Sequence, residues 1–426
     1  MGSDRAGSPR VWLGCEALVD APEVWGRFGS RIGLLTNDGA RVGSVDANPG
    51  PPSRVAFMEA GLPITRLFEP EHGILASAPD GVPVHGEGDP ATGLPVTSLY
   101  GSRLQPDREI LEKLDLVLVD LPDVGARFYT FLWTLTLLME ACSGTGVPMV
   151  VLDRPNPVGG LEAWVEGPLP DSDAPPTFLG RWPIPIRHSL TLGEMALLIR
   201  GEMDLKLELD VIPMEGWGRA MRWRDTGLPF HPPSPGIPSP ESALLYPGLA
   251  LLEATNVSEG RGTDMAFRWL GAPWMEEGVG TTGLAEAINR SEPGGVRAHP
   301  RELTVPGVGV APEIGVAPEM GKASEMSEVC PGIAFEVTDP SEVRPVALGL
   351  QVLSLLPTLW PGRFSWTPYP TAVNPSGTGH LLRLLARRGL VETLEKGHEV
   401  LDRDTAKEWT KAPGWWARAA PYLIYG

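Results

Sequence analysis

Four polar stretches in the first half of the chain hold side chains suited to acid, base or ion-pair chemistry, and each closes an apolar run. Asn37 and Asp38 follow residues 31–36, and Glu71-His72 follows residues 63–68. Asp120, Asp123 and Arg127 lie at and beyond the end of residues 116–120, and Asp153, Arg154 and Asn156 close residues 147–153. A carboxyl in a partly desolvated cleft keeps its proton to higher pH, as a general acid requires. Glu71, set between Pro70 and Gly73, fits that role, with His72 beside it to tune the acid or bind substrate. Asp123 supplies a second carboxylate or, equally well, an N-terminal helix cap. Arg127 binds an anion or holds Asp123. Further along, Arg187-His188 follows Pro183-Ile184-Pro185, and Asn256, Glu259 and Arg261 share one glycine-punctuated loop. A Gly-Arg-Gly loop can lay a guanidinium on a carboxylate in two-point fashion; a surface ion pair is the plain alternative. Any one of these loops, taken alone, reads as turn and cap residues.

What makes a site of them is the order of the elements. The runs at 31–36, 63–68, 116–120 and 147–153 are short and nearly all apolar, and helical segments at 54–60, 107–114 and 129–142 separate them. Such alternation predicts an α/β fold: a Rossmann-like parallel sheet covered on both faces, with a second α/β auxiliary domain. In open parallel sheets ligands bind beyond the carboxyl ends of the strands, where all four polar loops converge. Thr191-Leu192-Gly193-Glu194 reads as a capping box opening a helix to about residue 200, which makes Glu194 a cap rather than a catalyst. Residues 205–213 alternate like a half-exposed strand. The division follows as a Rossmann-like catalytic domain over 1–204 and an auxiliary domain over 205–426 that contributes loops to the cleft. The second part opens with a proline-rich stretch at 227–240 that reads as a rigid loop, a lid or a crossover. Helices are expected at 241–253, 344–356 and 378–390 and a strand at 332–338. Gly-Val-Ala-Pro-Glu occurs at 309–313 and 315–319, too few copies for a solenoid, and reads as a low-complexity insertion.

Composition removes several classes of function. Of 426 residues, 35 are Lys or Arg and 53 are Asp or Glu, giving a net charge of −18. With no basic cluster, nucleic acid is excluded as a general partner. The three cysteines, Cys15, Cys142 and Cys330, are too scattered for a disulfide framework or a metal knuckle. No apolar run reaches the ~20 residues of a membrane span. The first ten residues have no apolar leader core, so a cytoplasmic location is expected. No GxGxxG follows the first strand, no GxSxG or HExxH motif occurs, and residues 315–322 miss the phosphate-loop spacing by one residue. No cofactor is expected. A metal-dependent hydrolase built on His72, His85, Glu87 and Asp89 is one alternative; a saccharide-binding protein without turnover is another.

A run of motifs in register then resembles a bacterial family, the NamZ-type exo-β-N-acetylmuramidases. They include Phe68-Glu-Pro-Glu-His-Gly73, Gly93-Leu-Pro-Val-Thr-Ser-Leu-Tyr-Gly101, Asp123-Val-Gly-Ala-Arg-Phe-Tyr-Thr130 and Val151-Leu-Asp-Arg-Pro-Asn-Pro157. Later come Pro185-Ile-Arg-His188, Glu253-Ala-Thr-Asn-Val-Ser-Glu-Gly-Arg-Gly-Thr263 and the closing Tyr422-Leu-Ile-Tyr425. The resemblance implies release of terminal N-acetylmuramic acid from peptidoglycan-derived saccharides, and a protein family that is often exported. It implies Glu71 as general acid beside His72, with Asp123, then Glu259, as second carboxylate. Arg127, Arg187 and Arg261 become candidates for the lactyl carboxylate, and Asn37, Asp153, Arg154, Asn156, His188 and Asn256 complete the pocket. The chain departs from the family pattern at Pro122, where Gln is usual, and at Gly236, where Asn is usual; each departure removes an amide.

Overall fold

The computed structural model describes residues 10–21, 29–43, 49–84, 88–306, 327–397 and 400–426. His85 and Glu87, the repeat at 309–319 and the phosphate-loop look-alike at 315–322 lie outside the described residues.

Six strands form one parallel sheet: β1 (Ile32–Thr36), β2 (Ile64–Glu69), β3 (Val96–Ser98), β4 (Leu116–Asp120), β5 (Met149–Leu152) and β6 (Leu209–Ile212). Their spatial order is β3-β2-β1-β4-β5-β6, so the chain winds outward in both directions from β1 and β4. This is the doubly wound Rossmann order. Every residue of β1, β4 and β5 is buried, as continuous apolar runs require when both sheet faces are covered. Successive side chains point to opposite faces. Ile32, Leu34, Leu116 and Leu118 meet α1 (Gly14–Asp20) and α2 (Ser53–Glu59) on one side. Leu35, Val117 and Val119 meet α4 (Phe131–Thr145) and α5 (Leu192–Glu202) on the other, past the short α3 (Arg108–Leu111). Residues 131–139 of α4 are all buried, so that helix has no polar face to reveal its period.

Two sequence expectations shift here. β3 is only three residues long, too short to show a pattern, and was not expected. β6 was expected to belong to the second domain but pairs with β5 as the sheet edge, with Leu209 buried, Asp210 exposed and Val211 and Ile212 half-buried. The sheet therefore runs past the expected boundary at residue 204.

The second part holds α6 (Pro240–Leu249), β7 (Trp269–Gly271), α7 (Gly280–Arg290), β8 (Val296–Pro300), β9 (Leu303–Pro306), β10 (Ser327–Cys330), β11 (Gly332–Val337), α8 (Pro345–Leu359), α9 (His380–Leu385) and α10 (Arg388–Lys396). β7, β11 and β8 form an antiparallel sheet, and β9 pairs with β10. α6 crosses α8 backbone to backbone: a Cβ on Gly248 would lie 1.7 Å from the Pro345 carbonyl oxygen, and one on Gly349 2.3 Å from that of Gly248. The helix expected over 378–390 breaks at Ala386, which adopts φ 53°. One apolar core runs without interruption from the sheet face under α4 to α6 and α8, joining the two parts.

The chain end returns to the first part. The Tyr425 hydroxyl donates to Asp153 Oδ2 at 2.6 Å and accepts from the Met214 N–H at 3.0 Å. Glu194 caps α5 as its motif requires, accepting from the Thr191 N–H at 3.1 Å. Its carboxylate also receives two bonds from Arg219, at 2.7 and 3.1 Å, and the Ile424 N–H at 2.9 Å. Buried polar groups depend on such partners. Tyr425→Phe should therefore cost about 1–2 kcal/mol, read as a lowered midpoint of thermal unfolding.

Candidate active site

A cavity of about 300 Å³ opens where the loop after β2 meets the loops of the second part. Its floor carries Glu71 and His72. Phe128, Ile237, Tyr246 and Phe267 give it apolar lining, and Asp80, Arg261 and Tyr369 give it polar lining, with the Arg261 guanidinium 4.8 Å from the Phe267 ring centroid. That is an ordinary size for a small-molecule pocket.

Glu71 is placed by a tight turn. Glu69, the last residue of β2, accepts the Ile74 N–H at 2.8 Å and closes the loop on itself. His72 adopts φ 71° and Gly73 φ 74°, and this left-handed pair turns Glu71 inward. A non-glycine residue held there is strained, and such strain gathers at functional sites. The Gly81 N–H donates to Glu71 Oε1 at 2.9 Å, and the Thr130 hydroxyl, at the start of α4, donates to Oε2 at 2.6 Å. Burial pushes the Glu71 acid above the usual carboxyl range, and the charge of Asp80 pushes it the same way. His72 and the two hydrogen bonds oppose this without reversing it. His72 donates from Nδ1 to the Ala78 carbonyl at 2.9 Å, which fixes its ring.

Asp80 sits opposite and behaves the other way. Burial alone would raise it, but Arg261, His72, the Tyr369 hydroxyl and His380 together hold it below the usual range. Tyr369 donates to Asp80 Oδ2 at 2.7 Å and accepts from Arg261 Nη1 at 2.8 Å. Arg261 also reaches Glu259 Oε1 at 2.9 Å and Glu253 Oε1 at 2.6 Å, and its Nη2 lies 3.7 Å from Asp80 Oδ1. Glu253 Oε2 accepts from His380 Nε2 at 2.8 Å. Gly260 and Gly262, at φ 80° and 82°, give the Gly-Arg-Gly loop the turn that aims the guanidinium inward. One oxygen or nitrogen from each of Glu71, His72 and Asp80 lies within 4.8 Å of the others, a spacing that could hold a divalent cation. Arg261 already faces that cluster as a fixed cation.

The structure gathers only some of the expected site residues. Glu71, His72 and Arg261 line the cavity, and Glu259 backs Arg261. Asp123 and Arg154 line a separate, smaller pocket with Pro122. Asp123 Oδ2 accepts the Gly125 N–H at 2.9 Å, and burial pushes its acid up to about 6. His188 Nε2 is 3.9 Å from that oxygen, and burial holds the imidazole down at about 3, so it is neutral. Arg154 pairs with both oxygens of Asp120, at 2.6 and 2.8 Å. Arg127 is fully buried and bonds the carbonyls of Pro168, Ile184, Leu384 and Leu385. Arg187 bonds those of Val158 and Val343. Neither guanidinium lines the cavity; in each, both Nη groups are turned to backbone oxygens instead. Asn37 bonds Pro233 and the Gly39 N–H, Asn156 bonds Leu190 and the Val158 N–H, and Asn256 bonds Arg363 and Ser365. Asp153 anchors Thr191, Gly193 and Tyr425. Asp89, one of the metal candidates, pairs with Arg54 at 3.0 Å. Asp80, Tyr369, Glu253 and His380 were not singled out from sequence; the one available signal was that Glu253 and Arg261 belong to the same motif.

The chain matches two family models end to end. The N-terminal model of exo-β-N-acetylmuramidase NamZ matches residues 32–241, and the C-terminal model matches residues 244–425. A protein of Bacillus subtilis strain 168, described as peptidoglycan β-N-acetylmuramidase NamZ, is 34% identical over 421 residues, spanning 99% of this chain and 92% of that one. Two solved structures of DUF1343 family proteins from Bacteroides fragilis NCTC 9343 share the fold. One has a TM-score of 0.78 at 27% identity, covering 99% of this chain and 100% of the other. The second has a TM-score of 0.69 at 25% identity, covering 97% and 99%. With both halves matched in order and a curated relative aligned over nearly its whole length, the chain belongs to the NamZ family of exo-β-N-acetylmuramidases.

Proposed function

We propose that this chain hydrolyses the β-glycosidic bond of a terminal N-acetylmuramic acid at the non-reducing end of peptidoglycan fragments. Glu71 is the general acid and Asp80 the second carboxylate. The observation that carries the reading is one cavity holding two carboxyl groups whose surroundings drive them apart, Glu71 toward the protonated form and Asp80 toward the ionised one. Acid and base assignments follow from such divergence. Asp123, expected in the second role, yields it to Asp80 because it lines a different pocket.

In this mechanism Glu71 gives its proton to the glycosidic oxygen as that bond breaks, and the leaving saccharide departs as an alcohol. Asp80 meets the positive charge that develops at the anomeric carbon. Glu71, now a carboxylate, takes a proton from the water that adds to that carbon, which restores the acid. One oxygen of each carboxyl group lies within 4.8 Å of the other, short of the roughly 6.5–9.5 Å that leaves room for an attacking water in inverting enzymes. That spacing belongs to the retaining class. The lactyl carboxylate of the substrate faces the basic groups of the wall, Arg261, His72 and His380. We further propose that the catalytic and auxiliary parts divide near residues 241–244, where the two family models meet, rather than at 204.

The test is release of chromophore from the 4-nitrophenyl β-glycoside of N-acetylmuramic acid, with the N-acetylglucosamine glycoside as control. Glu71→Gln should lower kcat at least about 100-fold, and a chelator should leave the wild type unchanged, since Arg261 serves as the cation of this cluster. Chelator-sensitive turnover would favour the metal-hydrolase alternative. The pH profile of kcat/KM should be a bell: activity is lost on the acid side as Asp80 protonates, below the ordinary aspartate range, and on the alkaline side as Glu71 ionises, above the ordinary glutamate range. Proton NMR of the first-formed product should show the β-anomer; the α-anomer would overturn the retaining assignment.

A further inference from the structure

The loop after β2 brings Asp80 to the cavity, but among its described residues none supplies a hydroxyl or cation that Asp80 bonds. From its own half Asp80 faces Glu71 and His72, with the phenols of Tyr100 and Tyr129 nearby. The other half brings Arg261, Tyr369 and His380, with Glu253 and Glu259 behind the guanidinium. Arg261 approaches Asp80 only to 3.7 Å, beyond hydrogen-bond reach. The short contact comes from Tyr369, whose O–H donates to Asp80 at 2.7 Å while its oxygen accepts from Arg261 at 2.8 Å.

The Tyr369 ring has little freedom. It lies 4.6 Å from the His380 ring at 31°, and Arg261 stands 5.8 Å from its centroid. Its backbone is held as well, since the Tyr369 N–H bonds the Gly377 carbonyl at 3.0 Å. A few residues on, the Ala372 N–H bonds the Gly81 carbonyl at 2.8 Å, and the Gly81 N–H is the group that bonds Glu71. The segment carrying Tyr369 therefore touches Asp80 directly and Glu71 through one intervening residue, Gly81.

Resting on the assignment of Asp80 above, we propose that Tyr369 is a positioning residue of this reaction: it orients Asp80 opposite Glu71 and couples it to the Arg261 charge through a two-bond relay. Charge-assisted hydrogen bonds of this kind are roughly twice as strong as neutral ones, and they select the ionised acceptor. Tyr369 reaches no reacting atom itself; it acts on Asp80.

The sign of the effect is fixed. Removing the hydroxyl removes a group that favours the Asp80 anion, so Asp80 protonates at higher pH. In Tyr369→Phe the acid limb of the kcat/KM profile should move up by about one pH unit, the equivalent of one hydrogen bond to a charged group. The alkaline limb, set by Glu71, should stay within a few tenths of a unit. If the side chain mattered only for packing, phenylalanine would preserve the ring, and both the activity and the acid limb would stay where they are. Replacing Tyr369 with 3-fluorotyrosine strengthens the donor, keeps the fold-critical oxygen and should shift the same limb downward. Asp80→Asn is run beside these variants. If it loses activity while both Tyr369 replacements leave the acid limb unmoved, the positioning role is overturned and the assignment of Asp80 stands. If Asp80→Asn keeps full activity, the assignment itself fails and this proposal with it.

Discussion

The arrangement depends on one guanidinium. Arg261 lies among three acids, Asp80, Glu253 and Glu259, and touches Tyr369 as well. Three carboxylates could not be buried together without it, because their mutual repulsion and desolvation would each cost several kcal/mol. One positive charge cannot balance three negative ones, and the surplus appears where the cation is weakest. Burial and the neighbouring Glu253 raise Glu259 even though Arg261 bonds it. Glu71, on the far side of Asp80, has no guanidinium at all, and Asp80's own charge helps to keep it protonated. The functional asymmetry of the two carboxyl groups thus follows from where a single cation stands.

That cation comes from the other half of the chain, so the site exists only where the halves meet. Glu71 is delivered by the turn after β2, the cation and phenol by loops more than 180 residues further on, and the second histidine by the first residue of α9. Three features hold the halves in register. The apolar core is continuous from α4 to α6 and α8. Arg127 pins the carbonyls at the end of α9 to the loop that follows β4. The chain terminus docks on Asp153 and Glu194. Three of the polar residues expected in the pocket, Arg127, Arg187 and Asp153, take part in this alignment.

The sequence exposed what local rules govern. Apolar runs marked β1, β2, β4 and β5, and the rule that ligands sit beyond strand ends led to Glu71 and His72. The Thr191–Glu194 pattern identified a cap because capping is a contact within one turn. Asp80 stayed hidden in Ala78-Pro79-Asp80-Gly81, a stretch any turn could carry. Tyr369 and His380 lie in segments with no pattern linking them to residue 71, and only tertiary structure makes the link. The errors have the same root. Asn37, Asp123 and Asn156 are at strand ends, as a site would be, yet each folds its side chain onto backbone two residues on. Arg127 and Arg187 read as anion receptors because sequence does not show the backbone carbonyls that their Nη groups bond.

The proline-rich stretch occupies the place where a doubly wound sheet usually takes its ligand. In this fold the ligand crevice is at the switch point between β1 and β4. Here that crevice is closed by the chain itself. Residues 228–233 press against Gly39, Pro122 and Arg154, and Asn37 ties the Pro233 carbonyl to the end of β1 at 3.0 Å. What remains is a space of about 30 Å³, room for a water molecule. The next residues, 234–237, turn outward from that plug and become a wall of the Glu71 cavity. The same strap closes the fold's usual site and builds the new one, which moves the chemistry one strand over, to the end of β2. At Gly236 the strap leaves open space beside Arg261: a Cβ there would meet nothing nearer than Nε, at 3.5 Å. That is ordinary van der Waals contact, as is the 3.6 Å to Phe267, so the first carbon of a side chain could be accommodated there and the strap's backbone does not itself demand glycine.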